Sequence, residues 1–159
     1  MSSEPDPALM RQAIEIALEG VHAGHGGPFG ALVVRAGRVI GSGCNRVLRD
    51  NDPTAHAEVV AIRRACAALE SFRLEGCELY TTCEPCPMCL GAIYWSRIER
   101  VVYACDRSDA ARAGFDDAFF YAELERPIDA RKLRFEQVMR DEALSTFRAW
   151  LAKSDRAPY

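Results

Sequence analysis

One histidine, two cysteines and one glutamate hold the chemistry of this chain. His56-Ala57-Glu58 is followed, thirty positions on, by Pro85-Cys86-Pro87-Met88-Cys89. An imidazole and two thiolates fill three corners of a zinc tetrahedron and leave the fourth for water, the ligand count of a catalytic site. The expected ligands of a Zn2+ cofactor are therefore His56, Cys86 and Cys89. Glu58 is expected to stay off the metal and to move protons, first from the water and then to the substrate and its departing group.

The elements that must position these groups can be read from the same residues. Cys86 and Cys89 are three apart, so on a helix they project from one face and grip one ion. Pro87 suits the first helical position and puts Cys86 at or next to the cap. The positive end of that helix favours the thiolates that zinc needs. In mid-helix His56 and Glu58 would diverge by roughly 200°; in a first turn both can reach one site. A Cys-x-x-Cys pair also serves redox proteins and structural zinc. Cys83 is the candidate fourth ligand of a closed structural site, but Glu84-Pro85 interrupts its spacing and such a site leaves Glu58 without a role.

The 159 residues, 49% hydrophobic and 27% charged, suit one soluble globular domain spanning residues 1–159. No apolar run approaches the ~20 residues of a membrane helix. Met1-Ser2-Ser3-Glu4-Pro5-Asp6 has neither a basic region nor an apolar core, so the expected location is the cytoplasm. Net charge is −3 and the longest basic cluster is Arg131-Lys132-Leu133-Arg134, so no nucleic-acid partner is expected. A small, neutral substrate is. Seven cysteines, an odd number, indicate reduced thiols in a cytosolic enzyme. Cys44, Cys66, Cys77 and Cys105 sit among apolar neighbours and are expected to be small buried hydrophobes.

Helical periodicity runs from Pro7 to about Ala23 and ends at Gly24, Gly26 and Gly27. Residues 31–35 and 38–43 read as a hairpin turning at Ala36-Gly37. A helix over 55–69 is entered through Asp52, Pro53 and Thr54. Strands are expected at 77–82, 100–104 and 135–139, a short helix at 86–95, a loop between 104 and 135, and a closing helix at 143–153. The alternation predicts a three-layer α/β/α sandwich around a mixed five-stranded sheet.

A His-x-Glu followed by Pro-Cys-x-x-Cys is the signature of the zinc nucleobase deaminases. At these residues the chain resembles the cytidine-deaminase-like superfamily and, within it, the bacterial guanine deaminases. Gly26-Gly27-Pro28-Phe29-Gly30-Ala31, Asn51 to Glu58 and Thr82 to Trp95 carry the resemblance. Asp109-Ala110-Ala111, Ala113-Gly114-Phe115-Asp116-Asp117 and the terminal Tyr159 complete it. The earlier segments are shared with bacterial tRNA adenosine deaminases; the Gly-Phe-Asp-Asp segment and the Tyr-terminated tail favour the guanine enzymes.

The resemblance implies hydrolysis of guanine to xanthine and ammonia in purine salvage. Asn45 would bind the base edge, since an amide both donates and accepts. Asp117, rather than its neighbour Asp116, would accept from the purine N–H groups and help relay protons to the leaving amine. Phe29 would pack on the purine face, and backbone N–H groups around Ala57 and Cys86 would bond substrate or water. It also implies a homodimer in which the segment from about residue 143 to 159 crosses between subunits and Tyr159 covers the partner's site.

Two rival readings remain at this stage. Adenosine deamination in a tRNA anticodon loop would use the same zinc, Glu58 and Asn45, but the acidic net charge and weakly basic tail oppose it. A zinc-stabilised binding protein without catalysis leaves Glu58 unexplained. Nucleosides and aminotriazines carry the same kind of amino-bearing carbon and stay open as substrates.

Overall fold

The structure is a computed structural model, and it describes residues 4–159. The first three residues of the N-terminal segment judged unlike a leader lie outside the described residues. By their internal contacts the residues fall into two compact units, Met1–Phe120 and Tyr121–Tyr159.

In the first unit, α1 (Pro7–His22) begins where Asp6 accepts a hydrogen bond from the Ala8 N–H at 2.8 Å. Strands β1 (Gly30–Arg35) and β2 (Arg38–Cys44) form the expected hairpin. Its two-residue turn has φ of +48° at Ala36 and +74° at Gly37, the paired left-handed geometry that fits the twist of the flanking strands. A short helix α2 (Val47–Asp50) precedes α3 (Ala57–Leu69). Next come β3 (Cys77–Cys83), α4 (Pro87–Trp95), β4 (Arg100–Cys105) and α5 (Arg107–Arg112). Helix α6 (Asp117–Glu125) carries the chain from the first unit into the second.

The sheet has the order β2-β1-β3-β4, with β1 antiparallel to both neighbours and β3 parallel to β4. Alternate residues of β1 serve opposite faces. Ala31 and Val33 join Ala57, Ala61 and Ala65 of α3, and Ile93 of α4, in one buried cluster. Leu32 and Val34 join Ala13 of α1 and Tyr80 in the other. Both faces are therefore covered by helices, as the three-layer expectation requires.

Helix α3 lies unusually close to β2. A Cβ on Gly41 would stand 2.5 Å from the Ala61 carbonyl oxygen, and one on Gly43 would stand 2.8 Å from that of Ala57. Two glycines on the strand and three alanines at helical spacing thus let backbone rest on backbone.

The second unit contains a 3-10 turn (Ile128–Ala130) and α7 (Arg140–Ala152). Glu123 ties its loop, accepting from the Lys132 N–H at 2.7 Å and pairing with Arg126 at 2.8 Å. None of residues 121–159 is buried.

Three expectations are corrected here. Residues 135–139 form no strand, so the sheet has four strands rather than five. Met139 turns into the left-handed region at φ +53°, which ends any extension just before α7. The expected loop after β4 contains α5 and α6, because Asp106 and Asp109 form a reciprocal capping box that starts a helix there. Helix α3 begins at Ala57, not Ala55. The Asp52 carboxylate accepts from both the N–H (2.8 Å) and the hydroxyl (2.6 Å) of Thr54, holding a turn where the helix was expected.

Candidate active site

Two helix starts and one strand end build the site. His56 is the N-cap of α3 and Cys86 the N-cap of α4, with Pro87 at the first helical position as its fixed φ favours. Neither cap makes a side-chain capping hydrogen bond. Instead His56 Nδ1 lies 3.5 Å from Cys86 Sγ and 3.5 Å from Cys89 Sγ. Two donors about 2.1–2.3 Å from a tetrahedral zinc must stand roughly 3.5–3.8 Å apart, so this donor set fits the ion. Among the described residues, these three are the His, Cys, Asp or Glu groups whose ligand atoms converge within 4.8 Å. Cys83 is not one of them; its thiol donates to the Asp106 carbonyl at 3.6 Å. The four-ligand structural site expected as an alternative is not formed.

The protons of the donor set are unevenly held. The hydrogen bond from the Cys89 thiol, aided by His56, holds the Cys86 thiol down to about 4. The same bond, together with burial, pushes Cys89 well up. Cys86 in turn raises the His56 imidazole against the opposing effect of burial. One thiolate beside a thiol and a proton-retaining imidazole is a site whose protons a dication would displace.

Glu58 follows two residues after His56, and the first turn of α3 brings both to the same place. Its carboxylate is buried, 6% exposed, accepting from the fully buried Thr81 hydroxyl at 3.3 Å and from the Cys89 thiol at 3.4 Å. Burial raises its pKa, which suits a group that must hold a proton and give it back.

Above this floor lies a cavity of ≈ 470 Å³ lined by His56, Glu58, Cys86, Asn45, Phe29 and Asp117, among others. That volume is in the range of small-molecule sites. Every residue lining it belongs to the first unit. Asn45, 5% exposed, has its Oδ1 taken by the N–H groups of Gly27 and Val47, each at 3.2 Å. A Cβ on Gly26 would stand 2.1 Å from that same oxygen, so only glycine leaves it room. With Oδ1 engaged by two backbone donors, Asn45 offers its NH2 group. The amide thus accepts from the backbone and keeps its NH2 group to donate to a ligand.

Asp117 lines the cavity, and burial raises its pKa, with the Cys86 charge adding to the effect. Asp116 instead accepts from the Phe119 N–H at 3.4 Å at the start of α6. Phe29 lines the cavity and also packs on the core. Its ring meets Phe115 edge-on, with centroids 4.9 Å apart. Ala57 is fully buried; in the first turn its N–H has no partner within the helix. Tyr159 is exposed in the second unit, its ring edge-on to Trp150 at 6.4 Å.

Phe115, Thr81 and Gly26 were missed as site residues by sequence reasoning. Phe115 could have been found, since it stands two positions before Asp117 in a glycine-marked segment. Thr81 could not, because a threonine in a buried strand carries no signal of its own. The prediction for Cys105 fails: it is exposed, on edge strand β4, while Cys77 is buried and Cys44 and Cys66 are half-buried.

A family profile described as the cytidine and deoxycytidylate deaminase zinc-binding region matches residues 3–105. The chain is 53% identical over 151 residues to a guanine deaminase of Bacillus subtilis (strain 168), covering 95% of this chain and 97% of that protein. The crystal structure of the Bacillus subtilis guanine deaminase superposes with a TM-score of 0.94 at 51% identity, covering 98% of this chain and 99% of that one. A tRNA-specific adenosine deaminase of Aquifex aeolicus (strain VF5) is 40% identical over 116 residues, 73% of this chain and 74% of that protein. The fold, the donor triangle with its buried glutamate and these likenesses agree: the chain belongs to the cytidine and deoxycytidylate deaminase family of zinc-binding proteins.

Proposed function

We propose that this chain hydrolyses guanine to xanthine and ammonia. The observation that carries the reading is the buried Glu58 carboxylate set against the His56–Cys86–Cys89 donor triangle at the floor of a cavity roomy enough for a purine. The end-to-end likeness to the Bacillus subtilis enzyme supports guanine as the base.

The carbon bearing guanine's amino group belongs to a guanidine-like unit and is a poor electrophile. His56, Cys86 and Cys89 would hold a zinc ion, which would supply the Lewis acidity that makes water nucleophilic near neutral pH. Glu58 takes a proton from the attacking water and gives it to the neighbouring ring nitrogen, which makes the carbon a better electrophile. Glu58 then takes the second proton, from the added hydroxyl as it becomes the carbonyl, and delivers it to the amine, which leaves as ammonia. Thr81 fixes one carboxylate oxygen, and the other lies against Cys89 at the metal donors. Asn45 donates its NH2 to an acceptor on the purine edge. Asp117 accepts from the purine N–H groups and assists the departing amine. Phe29, with Phe115 set against it, packs on the ring. The Ala57 N–H is a further donor at the floor.

The chain acts as one deaminase domain in the cytoplasm, within purine salvage, and as a homodimer whose segment 143–159 is exchanged between subunits. Seven free cysteines support the location. The exchange is supported by the second unit itself. It has no buried residue, and Phe147 and Leu151, one turn apart on α7, are 65% and 63% exposed. Such a surface calls for cover. Tyr159 then closes the partner's site, excluding water while keeping a phenol for hydrogen bonding.

Ammonia release by the zinc-loaded protein, screened over guanine, its nucleoside, cytosine, aminotriazines and an anticodon stem-loop, tests the reading. Guanine should be the best substrate. Release from the stem-loop alone would transfer the chain to tRNA deamination, and release from none of them would leave a zinc-stabilised binding protein. Deleting Ala157-Pro158-Tyr159 should keep zinc and fold but sharply lower turnover. Mixing that chain with a Glu58→Ala chain should restore part of it, because one site of the hybrid has both Glu58 and a borrowed Tyr159.

A further inference from the structure

Strands β3 and β4 run parallel, and their register sets Cys83 opposite Cys105. The ladder continues past them, with the Glu84 N–H donating to the Cys105 carbonyl at 2.8 Å. Register partners on neighbouring strands share a face, with Cα atoms about 4.8 Å apart, inside the roughly 4.4–6.8 Å that a disulfide spans. Both thiols are free. They differ in access: Cys105 is exposed, whereas Cys83 is buried in the cavity wall. Neither joins the metal donors, and the deamination proposed above gives neither a role.

We propose that Cys83 and Cys105 close a reversible disulfide across β3 and β4, a thiol-modification site whose reagent is a small-molecule disulfide and whose closure reshapes the cavity wall.

Two exchanges balance the chemistry. The Cys105 thiolate attacks one sulfur of the reagent, breaking its S–S bond, releasing one thiol and leaving a mixed disulfide. Cys83 gives its proton to solvent and attacks the Cys105 sulfur, and the second thiol leaves. The protein pair loses two electrons and the reagent is reduced to two thiols. Burial pushes the Cys83 thiol up to about 12, so Cys105 meets the reagent first and closure by Cys83 is the slow step. A link between directly paired strands is constrained, and constrained disulfides have the higher potentials that let thiols reopen them. Cys83 stands three residues before Cys86 and next to Glu84, which also lines the cavity. Closure is therefore felt at the site.

The test incubates the zinc-loaded full chain with oxidised glutathione and maps its disulfides by mass. The expected product is two hydrogens lighter than the reduced chain, with the Cys83 and Cys105 peptides joined, and dithiothreitol reverses it. Cys105→Ser, with basal turnover unchanged, should show no such link. Glutathione held on Cys105 beside a free Cys83 after long incubation, or a link formed only elsewhere, would overturn the proposal. Turnover of guanine should fall at least about threefold on closure, as small displacements near reacting groups do, and recover on reduction. This arm alone rests on the proposed activity. A mapped link with unchanged turnover would refute the effect on the cavity. A reduced protein inert on guanine that still forms the link would refute the activity and leave the disulfide standing.

Discussion

Four helix starts of this molecule make two contrasting pairs. Helices α1 and α5 open on aspartates that cap them: Asp6 binds the Ala8 N–H, and Asp106 forms a reciprocal box with Asp109. Helices α3 and α4 open on His56 and Cys86, which cap nothing. A lost side-chain cap costs about 1 kcal/mol. A zinc site of this kind returns on the order of 10 kcal/mol when filled, so the exchange favours the metal. The uncapped starts also keep first-turn N–H groups and the positive helix end directed at thiolates and ligand. At α1 and α5 the cap position serves the helix; at α3 and α4 it goes to the metal donors.

Converting one start into the other kind should give the largest effect. Cys86→Ser puts a good capping residue at the start of α4 and removes a metal ligand. Zinc content by elemental analysis should fall to background and turnover with it. The metal-free variant should melt no lower than metal-free wild type; a clearly lower Tm would break the comparison. Glu58→Ala leaves both caps and all three ligands in place. Zinc should be retained while kcat drops by about 10² to 10⁴, and activity within tenfold of wild type would assign the protons to another group. Gly26→Ala touches neither helix start but drives a methyl into Asn45 Oδ1. Displacing that amide by about an ångström should cost up to roughly 10² in kcat/KM, with zinc and Glu58 undisturbed; unchanged kinetics would show that Asn45 does not orient substrate. Asp6→Ala, at a start far in sequence from the site, should lower Tm by only about 2–4 °C and leave steady-state kinetics as they were.

The sequence is most legible where one residue type admits few roles. Cys86, Cys89 and His56 could be assigned because their spacing on two helix starts leaves little else for them to do, and Pro87 marked the start of α4 in advance. The Ala36-Gly37 hairpin was legible for a similar reason. Less could be read where a tertiary partner decides. Phe135 to Met139 has a strand-like composition, but a strand exists only when another pairs with it. The true start of α3 was hidden because the Asp52–Thr54 turn competes for the residues that look like a helix entry. The donor character of Asn45 depends on two backbone N–H groups, one of them 18 residues away, which no spacing rule announces. Asp106-Arg107-Ser108-Asp109, by contrast, held a readable capping signal, and the loop expected after β4 overlooked it.

Helix α3 rests on Gly41 through its backbone and on Gly43 through the Ala57 carbonyl and the Val60 side chain, and this bears on how the chain can change over generations. A helix seated this closely has little room to repack, so a larger residue at either glycine would move His56 and Glu58 together and abolish the site. The walls are under no such constraint. Phe29, Leu48 and Phe115 face the cavity and can be exchanged for other apolar shapes without touching the metal ligands. Descendants that come to accept a different aminated ring should therefore differ at those walls and share the two glycines.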